Sequence, residues 1–136
     1  MLASYTNVSQ NDNVNLTAKY ERPFSASTDL ARDFLENLLL NYTDWHNYSI
    51  IRNSMTNLQV DELLGLLLYS ESKHPEFGVP FVQCILYENS TELAYVNIVF
   101  ENCNWNEWKS LELELMDYQN TLKGMVAVTC LSGLRE

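Results

Sequence analysis

Two histidines, three cysteines and a surplus of carboxylates are the residues of this chain that could do chemistry. His46 sits among aromatics in NYTDWHNYS and His74 in SKHPEFG, and neither stands at a motif spacing from a nucleophile or an orienting carboxylate. No G-x-S-x-G, H-E-x-x-H or P-loop pattern occurs. Four glycines in the whole chain leave little scope for a loop that cradles phosphate. Cys84, Cys103 and Cys130 are odd in number and lack C-x-x-C spacing, which argues against a disulfide framework or a zinc site. Buried free thiols in a reducing cytosol are expected instead. Asp61-Glu62 is an isolated acidic pair, not a metal-ligand cluster. The chain therefore reads as a non-enzyme with no catalytic residue, no metal and no cofactor. A small hydrolase using paired carboxylates is the least favoured alternative, because the separation of such a pair is decided only in three dimensions.

The carboxylates point elsewhere. Among 136 residues, 18 are Asp or Glu and 8 are Lys or Arg, a net charge of −10. That field repels phosphate backbones and anionic headgroups, so direct nucleic-acid or membrane binding is not expected. It attracts basic protein surfaces and speeds their association. Acidic residues crowd two stretches, 61–92 and 101–117. On a helix at about 100° per residue, Glu107, Glu114 and Asp117 would share a band beside the apolar stripe. The commonest fate of such charge is a solvated helix face. The sharper expectation is a docking surface for a Lys/Arg-rich partner, made from Glu101, Glu107, Glu112, Glu114, Asp117, Glu71, Glu76 and Asp44. Trp45 and Trp105 are its candidate anchors. Another acidic inhibitor or adaptor, such as a phage-encoded nucleic-acid mimic, is the alternative of the same class.

The elements that would position these residues read as a loose polar N-terminus over 1–13 and one α+β domain over 14–136. Val14–Arg22 suits an edge strand ending at Pro23. A helix follows, with Ser27 or Thr28 as N-cap, Asp29 in its first turn and a stripe from Leu30 to Leu39. Tyr48–Arg52 suits a short strand, and QVDELLGLLLYS suits either helix or buried strand. Val79–Glu88 and Glu92–Glu101, joined by Asn89-Ser90-Thr91, form a hairpin; both faces are apolar, which predicts a central place covered on each side. Asn104 with Glu107 predicts a capping box, and Trp108, Leu111, Leu115, Tyr118 and Leu122 extend the helix to Lys123-Gly124. Within it, Leu111 to Leu115 alternates with Glu as a strand would. Met125–Leu131 reads as a final core strand, giving an antiparallel sheet of about five strands with two helices.

No basic, then apolar, leader opens the chain and no apolar run approaches a membrane span, so a cytoplasmic protein is expected. The Asn-x-Ser/Thr triplets at Asn7, Asn15, Asn41, Asn47 and Asn89 read as composition.

The stretch Leu63–Cys103 resembles the central strands of immunity proteins from bacterial contact-dependent growth inhibition systems, closest to the group with a Whirly-like fold. The likeness rests on an apolar segment ending Tyr69-Ser70-Glu71, a strand ending Ile85-Leu86-Tyr87-Glu88, and a strand ending Ile98-Val99-Phe100-Glu101. GMVAVTC (Gly124–Cys130) is similar as well, so that about a third of the chain is covered. The resemblance implies a strand at Leu63–Ser70 and a cytoplasmic bacterial antitoxin. Such a protein would block the active site of a cognate basic toxin domain, often a nuclease. It carries over no binding residue and leaves the oligomeric state open.

Overall fold

The computed structural model describes residues 24–132, with side chains from Leu30 onward. The loose segment expected over 1–13 and the strand expected over Val14–Arg22 lie outside the described residues. The chain divides between Asn37 and Leu38 into two units. Of the first, the structure describes the greater part of helix α1 (Phe24–Leu39). The helix is already formed at Phe24, so Ser27, Thr28 and Asp29 fall inside it rather than at a cap and first turn.

The second unit runs through a 3-10 turn at Leu40–Tyr42, α2 (Trp45–Ser54), α3 (Asn57–Lys73) and a second 3-10 turn at Pro75–Phe77. It continues with β1 (Phe81–Leu86), β2 (Leu93–Phe100), α4 (Trp105–Asp117) and β3 (Val126–Cys130). The α+β class holds, but among the described residues the sheet has three strands, in the order β1-β2-β3, rather than about five. It is mixed: β1 pairs antiparallel with β2, and β2 pairs parallel with β3 across the α4 crossover.

Two expected strands are helices, and local chemistry explains both. Tyr48–Arg52 lies in α2 because Asp44 caps it, its carboxylate accepting from Asn47 N at 2.9 Å. Leu63–Ser70 lies in α3, so the strand implied by the resemblance is not there. Thr56 and Gln59 close a reciprocal capping box at its start. Val60, Leu63, Leu64, Leu66 and Leu67 are buried while Gly65 and Leu68 face out, which is helical rather than alternating burial. The capping box expected at Asn104 and Glu107 is present on α4. That helix nevertheless stops at Asp117. Tyr118 is exposed, and Leu122 is buried from a loop rather than from a helical face.

The hairpin forms as expected, with Asn89 in the left-handed region at φ 58°. Its central placement holds only for β2, since β1 is an outer strand. One sheet face, carrying Val82, Ile98 and Val128 in a cross-strand row with Val96, Phe100 and Cys130, is buried. On the other face Phe81, Gln83 and Tyr95 are exposed, so the sheet is not fully covered on both sides.

Side chains of α2, α4 and the residue Thr43 just before α2 close the outer edges of the described strands. On β1, Thr43 Oγ1 donates to Val82 O at 2.6 Å and Cys84 N donates to Asn47 Oδ1 at 2.8 Å. On β3, pairing with β2 engages Met125 O and Leu131 N, which leaves the backbone N–H and carbonyl of Val128 facing away from β2. Its carbonyl accepts from Trp108 Nε1, and its N–H donates to Glu112 Oε2 at 3.2 Å. Trp108 and Glu112 are one turn apart on α4, so a single helix face satisfies both groups. Open strand edges would otherwise invite another chain. Asn47 is buried by this role, and its triplet is a packing device in the fold.

Two further ties hold the β2–α4–β3 crossover. The Glu62 carboxylate accepts from Asn120 N, Thr121 N, Leu122 N and Thr121 Oγ1 at 2.7 to 3.0 Å. Cys103 and Cys130 are joined as a disulfide, Cα atoms 5.9 Å apart and 27 residues apart in sequence, which corrects the expectation of three free thiols. Their proximity is a product of the parallel β2–β3 pairing, in which Phe100 stands opposite Cys130; no sequence spacing encodes it. Cys84 remains free. Among the described residues no helix is long and apolar enough to cross a membrane.

Candidate functional site

Helix α3 ends on Lys73, and His74 caps it with its N–H donating to Ser70 O. The Pro75–Phe77 turn then lays the Phe77 ring against His74, centroids 4.6 Å apart and nearly parallel. Phe77 is itself anchored edge-on to Phe100 of β2. This fixes His74 between two carboxylates. Its Nδ1 lies 3.5 Å from Glu76 Oε2 and its Nε2 lies 3.6 Å from Glu114 Oε1.

Glu114, on α4, gathers the rest of the cluster. Lys73 Nζ donates to its Oε2 at 2.7 Å, and Tyr69, one turn earlier on α3, donates its hydroxyl to the same oxygen. Lys73 Nζ also reaches Tyr69 OH at 3.1 Å. The hydrogen bonds from Lys73 and then Tyr69 hold the Glu114 carboxyl below its ordinary value. Reciprocally, the bond to Glu114 pushes the Tyr69 phenol up to about 12 and raises Lys73 as well. Lys73, Tyr69 and Glu114 thus form a closed hydrogen-bonded ion-pair knot, with His74 Nε2 beside it at 3.6 Å.

Beside it lies a cleft of about 300 Å³ lined by His74, Glu76, Phe77, Asn106, Glu107, Ser110 and Leu111. Phe77 and Leu111 give it an apolar floor, while Glu76 and Glu107 stand exposed at its rim. One Glu107 oxygen accepts from Asn104 N at 2.9 Å in the capping box, and the other has no partner among the described residues. Ser110 lines the cleft without hydrogen-bonding His74, so no primed nucleophile is assembled. Nor do the described residues contain a group of three or more His, Cys, Asp or Glu able to hold a metal. An apolar floor under paired carboxylates suits a cationic side chain with an aliphatic stem, as Lys and Arg have.

The ten residues expected to meet a partner are thus sorted by the fold. Glu76, Glu107 and Glu114 come together around the cleft and its knot. Asp117 is exposed at the far end of α4, and Glu101 is exposed after β2. Trp105 is exposed beside Trp108, with Lys109 Nζ over both rings at 4.9 Å. Glu112 lies on the opposite flank of α4, spent on Val128 and on Lys109 at 3.4 Å. Glu71 accepts from Tyr42 OH at 2.6 Å; burial and that carboxylate push the phenol up to about 12. Asp44 is the α2 cap, held below its ordinary value by the bond from Asn47 N. Trp45, 70% exposed, stands edge-on to Tyr48 at the start of the same helix. Sequence reasoning missed His74, Tyr69 and Lys73 as members of one cluster. Tyr69 and Lys73 at a helical spacing of four would have been the signal, had α3 been recognised as a helix.

Compared with known proteins, the chain matches no family model, no curated protein and no solved structure.

Proposed function

We propose that this chain is an acidic binding module that occludes a basic partner domain, in the manner of an immunity protein or antitoxin that blocks the active site of a cognate nuclease-type toxin. The observation that carries this reading is the cleft rimmed by Glu76 and Glu107 over Phe77 and Leu111, which fits a Lys or Arg side chain of a protein partner. Charge around it supports the same direction. Residues 38–132 contain twelve Asp and Glu against four Lys and Arg, and two of those cations, Lys73 and Lys109, are already ion-paired to Glu114 and Glu112. Exposed Glu76, Glu88, Glu92, Glu101, Glu107 and Asp117 leave a net negative field to steer a basic surface. Binding should be stoichiometric, without intrinsic activity, and its association rate should fall as salt shortens the Debye length.

The test is co-expression with the toxin domain encoded beside it. The native chain restores growth, and Glu76→Lys with Glu107→Lys removes protection while the chain still unfolds cooperatively, at a midpoint lowered only by the lost capping bond from Asn104 N, about 1 kcal/mol. Failure of the native chain to protect against that domain, or full protection by the double variant, defeats the proposal.

A further inference from the structure

Helix α4 has two apolar faces. Trp108, Leu111 and Leu115 form the buried one. Trp105, Leu113 and Met116 lie on the outer side, 52%, 65% and 56% exposed. With Lys109 they recur at steps of four, four and three residues, a straight seam along three turns of helix, about 16 Å long. Lys109 adds its aliphatic stem to this seam rather than its charge, because its ammonium is folded back over the Trp105 and Trp108 rings and against Glu112. Asp117 borders the seam on one side and Glu112 on the other, at the angular positions a helix of 3.6 residues per turn dictates.

We infer that this outer seam of α4 docks a cationic amphipathic helix of the partner protein, Leu-like side chains on the seam and Lys or Arg beside Asp117. The inference rests on the reading of the chain as a binder of a basic partner, and adds a second contact surface to the acidic cleft. Charge decides the occupant: a second copy of this chain would bring another net charge of −10 against the first, whereas a basic helix relieves it. The length and spacing match a helix laid into a helix-lined surface with anchors three and four residues apart.

The probe is an 18-residue Leu/Lys peptide with Leu at helical spacing, titrated into the native protein by calorimetry and by amide chemical-shift mapping. Two control peptides have the same composition in scrambled order, or Glu in place of Lys. The expected result is saturable binding of the helical cationic peptide alone, shifts centred on Trp105, Leu113 and Met116, and a loss of about tenfold or more in Leu113→Asp and in Met116→Asp. Leu68→Asp, at a residue 43% exposed on α3, leaves binding unchanged. Equal binding of the scrambled peptide, or native-like binding by both seam variants, overturns the inference. So does a sedimentation-detected dimer of the native chain that Leu113→Asp dissolves, since the seam would then belong to a second copy. If the seam variants still protect growth while Glu76→Lys with Glu107→Lys does not, the seam inference fails and the reading of function stands. If the native chain fails to protect, that reading fails whatever the peptide does.

Discussion

Replacing Glu62 by Ala removes the anion that organises the α4–β3 connection. Its two oxygens divide the work: Oε2 accepts from Asn120 N and Leu122 N, Oε1 from Thr121 N and Thr121 Oγ1. Hydrogen bonds to a charged acceptor are individually stronger than neutral ones, but at this partly exposed site the freed N–H groups return to water, which cuts the loss. Leu122 N is the exception, since it sits beside a fully buried side chain. Together these give a loss of about 2 kcal/mol for Glu62→Ala, and about half of that for Glu62→Gln, which keeps one acceptor oxygen. For a domain of this size that lowers the melting temperature by about 6–10 °C with an unchanged denaturant slope. Partial burial alone would raise the Glu62 carboxyl; the four donors outweigh it and hold it below its ordinary value of 4.5. A carboxyl depressed in the folded state adds stability that is complete above the unfolded value and is lost as pH falls through the folded one. The gap between native and Glu62→Ala chains, read from urea melts, is therefore widest at neutral pH and narrows below pH about 4.5. A gap under about 0.5 kcal/mol at pH 7, or one that does not change down to pH 3, refutes the reasoning.

Gly65 faces outward from the middle of α3 with nothing within 4 Å of where a Cβ would stand, so Gly65→Ala should stabilise by about 0.5–1 kcal/mol in the same melts. Protein purified without reductant and then unfolded should show one reactive thiol, Cys84, and three after reduction; closing a 27-residue loop contributes about 3.5 kcal/mol, which Cys103→Ser would forfeit. Trp108→Phe deletes the donor to Val128 O and should cost about 2 kcal/mol, with faster hydrogen exchange along β3; a melt within about 0.5 kcal/mol of native would contradict the edge role. In a spectrophotometric titration Tyr42 and Tyr69 should ionise near 12 rather than 10, so that their contribution to stability is full below pH 10 and lost as pH rises through 12.

What the sequence disclosed follows a physical line. The hairpin was legible because β-branched and aromatic residues run for whole strand lengths between polar turn residues. The cap of α4 was legible because Asn104 and Glu107 stand three apart before an apolar run. The same signature at Thr56 and Gln59 marked α3, and there the leucines drew attention from it. An all-apolar run has no period of its own, whereas a capping box has a direction. At α2 a short strand was expected over Tyr48–Arg52, and one Asp44 carboxylate reversed the outcome. Beyond Leu115, the spacing to Tyr118 and Leu122 continued the helical register by coincidence, since Glu62, remote in sequence, holds that loop. The knot at Glu114 and the Cys103–Cys130 bond join residues 27 to 45 apart and leave no local trace.

The alternation Leu111-Glu112-Leu113-Glu114-Leu115 gains a meaning that neither strand nor ordinary amphipathic helix supplies. Wound as a helix, it sends Leu111 and Leu115 to the core, Glu112 to the edge of β3, Glu114 to Lys73 and Tyr69, and Leu113 to water. Each carboxylate on this segment is consumed by the fold, and the residue left outward is apolar. Net charge alone therefore does not locate a docking surface. The carboxylates that hold the molecule together, Glu62, Glu112 and Glu114, should reveal themselves by stability when neutralised. On the proposed reading, those facing water, Glu76 and Asp117, and Glu107 beyond its capping bond, should reveal themselves by association rate and salt dependence. On the proposed reading, a basic partner would be drawn by the second set and gripped where apolar surface is exposed, at the floor of the cleft and along Trp105, Leu113 and Met116.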